Sequence, residues 1–132
     1  MKALFVDTGA WYALANRLDG HHAEAKELLA TTSRHLLTTN YVILETANLI
    51  KIRAGQQLAV RFLDQVRASK LVTIHHVTQR QHEAAEIFFR KHSDKGYTLG
   101  DCSSFVVMAD LGLGEAFTFD RHFSQAGFAR VP

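Results

Sequence analysis

The chain has 132 residues, 47% hydrophobic and 21% charged, which is enough to bury one core and sets the expectation of a single domain over residues 1–132. No apolar run approaches the ~20 residues of a membrane span, and no basic segment leads into an apolar stretch and a small-residue cleavage site, so neither a membrane protein nor a secreted one is expected. The single cysteine, Cys102, excludes an intramolecular disulfide, a cytoplasmic location is expected, and the net charge of +2 by itself favours no class of partner.

Residues 3–6 are apolar without interruption and run into Asp7-Thr8-Gly9, which reads as a strand buried on both faces. A short apolar helix follows over 10–15. Asp19 then stands as an N-cap for a helix over 21–31. A second strand spans 35–38, and Thr39 or Asn40 caps a helix over 41–53. Gly55 separates it from a helix with Ala59, Phe62, Leu63 and Val66 at i, i+3, i+4 and i+7. The β-branched segment 71–74 is a third strand. Thr78 opens a helix running to Lys95-Gly96, with Ala85, Phe88 and Phe89 inward and Arg90, Lys91 and His92 outward. Thr98 opens the next helix, with Cys102, Phe105, Val106 and Ala109 on one face, and Gly112 and Gly114 end it. Strands over 116–119 and 128–131 complete the chain. Strands alternating with crossover-length helices predict an α/β/α sandwich around a mainly parallel sheet.

Most carboxylates have easy explanations as helix faces, caps or loops. Four fit less easily. Asp7 and Asp120 end strands, Glu45 lies early in its helix among apolar neighbours, and Asp101 sits in a first helical turn beside Cys102 and Phe105. Each has a plainer reading. Asp7 and Asp120 could cap the turns they precede, Glu45 could pair with Lys51 or Arg53, and Thr98-Leu99-Gly100-Asp101 fits a capping box. In a parallel sheet, however, strand ends and the following helix starts share one edge, so all four could converge there. Clustered carboxylates raise one another's pKa unless a cation compensates. An all-oxygen set selects hard ions, Mg²⁺ or Mn²⁺. A pair of such ions, typically ~3.5–4 Å apart, serves phosphodiester hydrolysis. With these four acids committed, the other nine against fifteen Lys and Arg leave an exterior of +6, suited to a polyanion.

The ordered set Phe5-Val6-Asp7-Thr8-Gly9-Ala10-Trp11, Glu45, Leu99-Gly100-Asp101-Cys102-Ser103-Ser104-Phe105 and Thr118-Phe119-Asp120-Arg121-His122-Phe123 resembles the PIN-domain nucleases, most closely the VapC-type ribonuclease toxins of bacterial toxin–antitoxin pairs. The resemblance implies a PIN-like sheet between helices and a Mg²⁺- or Mn²⁺-dependent endoribonuclease. It implies Asp7, Glu45, Asp101 and Asp120 as the catalytic, metal-holding acids. Thr8, Thr118 and Ser104 match accessory positions, and Asn48, one turn after Glu45, joins them as a further accessory candidate. Lys51, Arg53 and Arg121 are candidate RNA contacts, and Arg90, Lys91 and Lys95 form a second basic cluster. The resemblance further implies a homodimer and a cognate antitoxin.

Other readings compete. Val6-Asp7-Thr8-Gly9-Ala10 is similar to the active-site signature of retropepsin-like aspartic proteases, but that fold is nearly all β. A binding module could use the acidic pocket only to receive an arginine, and a PIN nuclease could process RNA without an antitoxin. The eight histidines, including His21-His22, His75-His76 and the His82/Glu86 pair, are read as forming no zinc site. Cys102 and the phenylalanines at 62, 88, 89 and 105 are read as core.

Overall fold

Leu4, Phe5 and Val6 are each at most 1% exposed, as an apolar run without polar alternation requires. In the computed structural model, which describes residues 2–132, they form the first strand and the middle of the sheet. The elements run β1 (Leu4–Val6), α1 (Thr8–Ala15), α2 (His22–Thr31), β2 (Leu36–Thr39), α3 (Asn40–Ala54), α4 (Gln56–Ala68), β3 (Val72–His75), α5 (Gln79–Lys91), α6 (Leu99–Asp110), β4 (Glu115–Phe117), α7 (Arg121–Gln125) and β5 (Ala129–Val131). All five strands are parallel, in the order β3-β2-β1-β4-β5.

This order has a consequence for where a site can form. The chain leaves β1 toward β2 and β3, then returns past β1 to β4 and β5. Right-handed crossovers therefore put α1–α4 on one face and α5–α7 on the other, giving the expected three layers. Between β1 and β4 the connections depart in opposite directions. That leaves a crevice beyond the carboxyl ends of these two strands.

The opposite edge of the sheet is stapled by Arg34. Its guanidinium donates to the carbonyls of Lys2 and Ala3 and to Glu115 Oε1 at 3.0–3.2 Å. One half-buried side chain thus ties the starts of β1, β2 and β4. Near the functional edge, Thr38 Oγ1 donates to Val6 O at 3.0 Å and accepts from Trp11 Nε1 at 3.1 Å, fixing α1 against β2. Thr39 caps α3 by accepting from Val42 N at 3.1 Å.

The sequence-based boundaries shift in places. α2 begins at His22 and Asp19 does not cap it; Asp19 instead accepts from His21 N at 3.0 Å in the preceding turn. α5 ends at Lys91, and β4 ends at Phe117, which leaves Phe119 in the loop beyond it. Phe89 is 45% exposed, contrary to its inward assignment. His92 takes that side, stacked on Phe88 at 4.0 Å, while Phe88 meets Tyr97 and Phe105. His82 and Glu86 join a chain from Tyr41 that links α3 to α5 at 2.7–2.8 Å. No helix among the described residues is long and apolar enough to cross a membrane. A parallel sheet with crossover helices is incompatible with the nearly all-β aspartic protease architecture.

Candidate active site

The crevice between the ends of β1 and β4 holds a cavity of about 330 Å³. Asp7, Glu45, Asp101 and Asp120 all line it. A larger hollow of about 430 Å³ lies by Trp11, Phe62 and Val72, but no carboxylate lines it. Chemistry, not size, picks out the acidic cavity.

Three of the four acids arrive on helix starts, where the helix dipole tolerates negative charge. Asp7 is the N-cap residue of α1, Asp101 lies in the first turn of α6, and Asp120 is the N-cap of α7. The capping reading of Asp101 is also correct. Its Oδ2 accepts from Thr98 N at 3.0 Å, while Thr98 Oγ1 accepts from Asp101 N at 3.0 Å. Asp120 Oδ1 likewise accepts from His122 N at 2.9 Å. Cap and site are the same residues at Asp101 and Asp120, whose backbone-accepting oxygens also lie 3.2 Å from His122 Nδ1.

Two threonines orient the acids. Thr118 Oγ1, buried, donates to Asp7 Oδ2 at 3.1 Å and accepts from Asp120 N at 3.0 Å, so one hydroxyl couples two acids. Thr8 Oγ1 donates to Glu45 Oε2 at 3.2 Å. Glu45 stands at the rim, on α3, and packs over α6 where Gly100 has no side chain. A Cβ there would sit 3.4 Å from Glu45 Oε2.

Burial and mutual repulsion make the cluster electrostatically expensive. Asp7, 9% exposed, has its pKa raised from 3.8 to about 7, chiefly by burial, with Asp101 and Glu45 adding to it. Burial also raises Glu45 and Asp101, and Asp120 repels both. Hydrogen bonds from Thr8 and Thr98 oppose these shifts, and the one basic side chain among the lining residues is His122, whose Nδ1 is 3.2 Å from Asp101 Oδ2 and 3.2 Å from Asp120 Oδ1. Cys102 is fully buried, and burial pushes its thiol up to about 11, so it is uncharged core and no ligand. Four carboxylates with a protein-supplied deficit of positive charge fit a hard divalent cation.

The other sequence candidates separate. Asn48 is exposed and does not line the cavity; Leu49 does. Ser104 is buried in α6 away from the lining, and its neighbour Ser103 donates to Gly100 O at 2.7 Å. Lys51, Arg53 and Arg121 are exposed and outside the cavity wall, with the Arg53 guanidinium 5.4 Å over the Tyr12 ring. His122 and Phe119 line the cavity without having been singled out from the sequence. For His122 the available signal was its spacing two residues after Asp120, on a strand-to-helix turn. An imidazole thus stands in the wall of a pocket whose sequence-based donor set is all oxygen.

Comparison with known proteins agrees with this geometry. Residues 4–129 match the family model described as the PIN domain. The 23S rRNA-specific endonuclease VapC20 of Mycobacterium tuberculosis is 38% identical over 128 residues, 97% of each chain. A VapC ribonuclease of Archaeoglobus fulgidus is 27% identical over 92% of this chain and 80% of its own. Among solved structures, that of VapC20, described as a sarcin–ricin loop cleaving toxin, superposes with a TM-score of 0.92 over 96% of this chain and 97% of that one. FitAcB from Neisseria gonorrhoeae, at 12% identity, shares the fold alone, with a TM-score of 0.71 over 98% and 96% of the two chains.

Proposed function

This chain belongs to the PIN-domain family, among the VapC-type ribonuclease toxins of toxin–antitoxin systems, and from that membership we propose that its acidic cavity hydrolyses RNA phosphodiester bonds with Mg²⁺ or Mn²⁺ bound. The observation that carries the reading is the convergence of four carboxylates from four separate elements on one cavity, with Asp7 buried and raised to about 7. Asp7, Glu45, Asp101 and Asp120 hold the ions. When bound, a divalent cation neutralises charge on the phosphate and makes water a better nucleophile at neutral pH.

The chain's own residues do the positioning. Thr118 holds Asp7 and the backbone of Asp120 in fixed relation, and Thr8 holds Glu45. Phe119 offers an apolar wall beside the acids. Arg121, exposed next to Asp120, is the nearest cation in sequence for a flanking phosphate, with Lys51 and Arg53 further along α3.

The substrate we propose is 23S ribosomal RNA at the sarcin–ricin loop, supported by 38% identity to VapC20 over nearly the full length of both chains. We propose a cytoplasmic location and a cognate antitoxin as the protein partner. A homodimer is proposed because α3 exposes two large apolar side chains, Leu44 (63%) and Ile52 (82%), about two turns apart along its length. The test is sequencing of RNA 5′ ends from ribosomes treated with purified wild type or Asp7→Asn, with Mn²⁺, Mg²⁺ or chelator. One new end, lost in Asp7→Asn and with chelator, is expected. Cleavage that survives both changes rejects the mechanism. Absence of cleavage with tight antitoxin binding favours a non-catalytic binding module.

A further inference from the structure

We propose that His122 is a nitrogen ligand of the metal site, so that this nuclease has a mixed oxygen–nitrogen donor set that favours a transition ion such as Mn²⁺ over Mg²⁺. The inference rests on the metal-dependent reading above and assigns one of its ligands.

The donor spacing supports it. Asp101, Asp120 and His122 each present one ligand atom, all within 4.8 Å of one another. His122 Nδ1 is equidistant, at 3.2 Å, from Asp101 Oδ2 and Asp120 Oδ1. Neighbouring donors on an octahedral ion with bonds of ~2.1 Å lie about 3.0 Å apart. The imidazole nitrogen is thus already spaced from each of the two carboxylate oxygens as one corner of such a shell is from its neighbour.

The ring is also held in place. His122 follows the Asp120 cap by two residues, and its own N–H donates to Asp120 Oδ1, so backbone and side chain are fixed to the same carboxylate. The imidazole packs edge-on to Tyr97 with centroids 5.6 Å apart. On its far side, Nε2 lies where a side chain at position 96 would begin: a Cβ on Gly96 would be 3.0 Å from it. Glycine at 96 thus makes room for the ring to sit against the acids. Imidazole has little preference for Mg²⁺ and a clear one for first-row transition ions, whereas carboxylates serve both. Adding this ligand to an otherwise all-carboxylate set shifts selectivity without enlarging the cavity.

The test uses the purified full chain with Mn²⁺ and Mg²⁺ as probes, no RNA being needed. Mn²⁺ bound to wild type should show ¹⁴N coupling from a directly bound imidazole in pulsed electron paramagnetic resonance. His122→Asn should remove that coupling and weaken Mn²⁺ at least ~10-fold while changing Mg²⁺ less than ~3-fold. Gly96→Ala keeps the imidazole but displaces it, and should weaken Mn²⁺ in the same selective direction. Mn²⁺ that binds wild type, is lost in Asp7→Asn, and shows no ¹⁴N coupling overturns the role of His122 and leaves the metal-dependent nuclease standing. Equal losses of Mn²⁺ and Mg²⁺ in His122→Asn, without coupling in wild type, overturn it too. Failure of wild type to bind either ion removes the metal reading itself. The wild-type spectrum decides the matter even if a variant does not fold.

Discussion

Replacing Asp7 with Asn should stabilise the metal-free protein at neutral pH while destroying its activity. The carboxyl is raised from 3.8 to about 7 in the folded state, chiefly by burial. At 1.36 kcal/mol per pKa unit, ionised Asp7 costs the fold about 4 kcal/mol once the pH is above 7. Asparagine escapes that cost but gives up one acceptor oxygen, so a hydrogen bond from Thr118 or the Thr8 backbone is lost at about 1 kcal/mol. The net gain at pH 8 is about 3 kcal/mol. With an unfolding entropy near 2.1 cal/mol/K per residue, that is about 10 °C in Tm for a chain of this length. Because the folded pKa is the higher one, the wild type carries no penalty below pH 3.8, and the penalty grows as pH rises to 7. The two proteins should therefore have similar Tm near pH 4 and diverge upward. Thermal melts in chelator from pH 4 to 8.5 measure it. Saturating Mn²⁺ should then raise the wild type by about 2.7 kcal/mol at 100 times its Kd and leave Asp7→Asn unmoved. A gap that does not change with pH, or a variant less stable at pH 8, would refute the assignment of Asp7 as a buried carboxyl held at energetic cost.

Asp101→Asn should lose cleavage by more than ~100-fold, beyond the 10–100-fold typical of groups that only support a ligand, yet keep its stability, because the asparagine oxygen still accepts from Thr98 N; unfolding in urea would show instead that the carboxylate was only a cap. Thr118→Val should weaken metal binding ~10–100-fold and cost about 1–3 kcal/mol, since it strips a partner from both Asp7 and the Asp120 backbone; calorimetric titration and chemical denaturation separate the two effects. Arg34→Ala should cost about 2 kcal/mol at the far edge of the sheet and leave kcat unchanged. Arg121→Ala should weaken RNA binding uniformly across sequences and reduce the salt dependence of log K by about one contact, measured with the catalytically inert Asp7→Asn as background.

The place of β1 followed from physics that acts locally. A run such as Leu4-Phe5-Val6 has one stable place, the doubly covered centre of a parallel sheet, and the polar residue that ends it must face the crevice. That made Asp7 legible, and the same reasoning reached Asp120. Asn48 failed on helical phase. It is three residues from Glu45 and turned about 60° from it, whereas Leu49 is four away and turned only about 40°, so Leu49 reaches the cavity. Phe88 and Phe89 are adjacent and equally apolar, and only the ring cluster of Tyr97 and Phe105 selects Phe88. His122 was hidden for a different reason. A histidine's role depends on what its nitrogens meet, and Asp101 and Gly96 come to it across 21 and 26 residues of chain. The capping box at Thr98 was read as an alternative to a site at Asp101, but the same Oδ2 that accepts from Thr98 N also meets His122 in the cavity.

The bond from Thr118 to Asp7 spans 111 residues. Until β4 has docked beside β1, Asp7 has neither its hydroxyl partner nor Asp120, and the cavity has no second wall. During synthesis α1 through α6 precede β4, so the bulk of the chain exists before the centre does. A ribonuclease is thereby unarmed while it is being made, and any chain cut short before residue 118 carries a fold in progress but lacks the Thr118 hydroxyl and Asp120 that complete its acidic cavity.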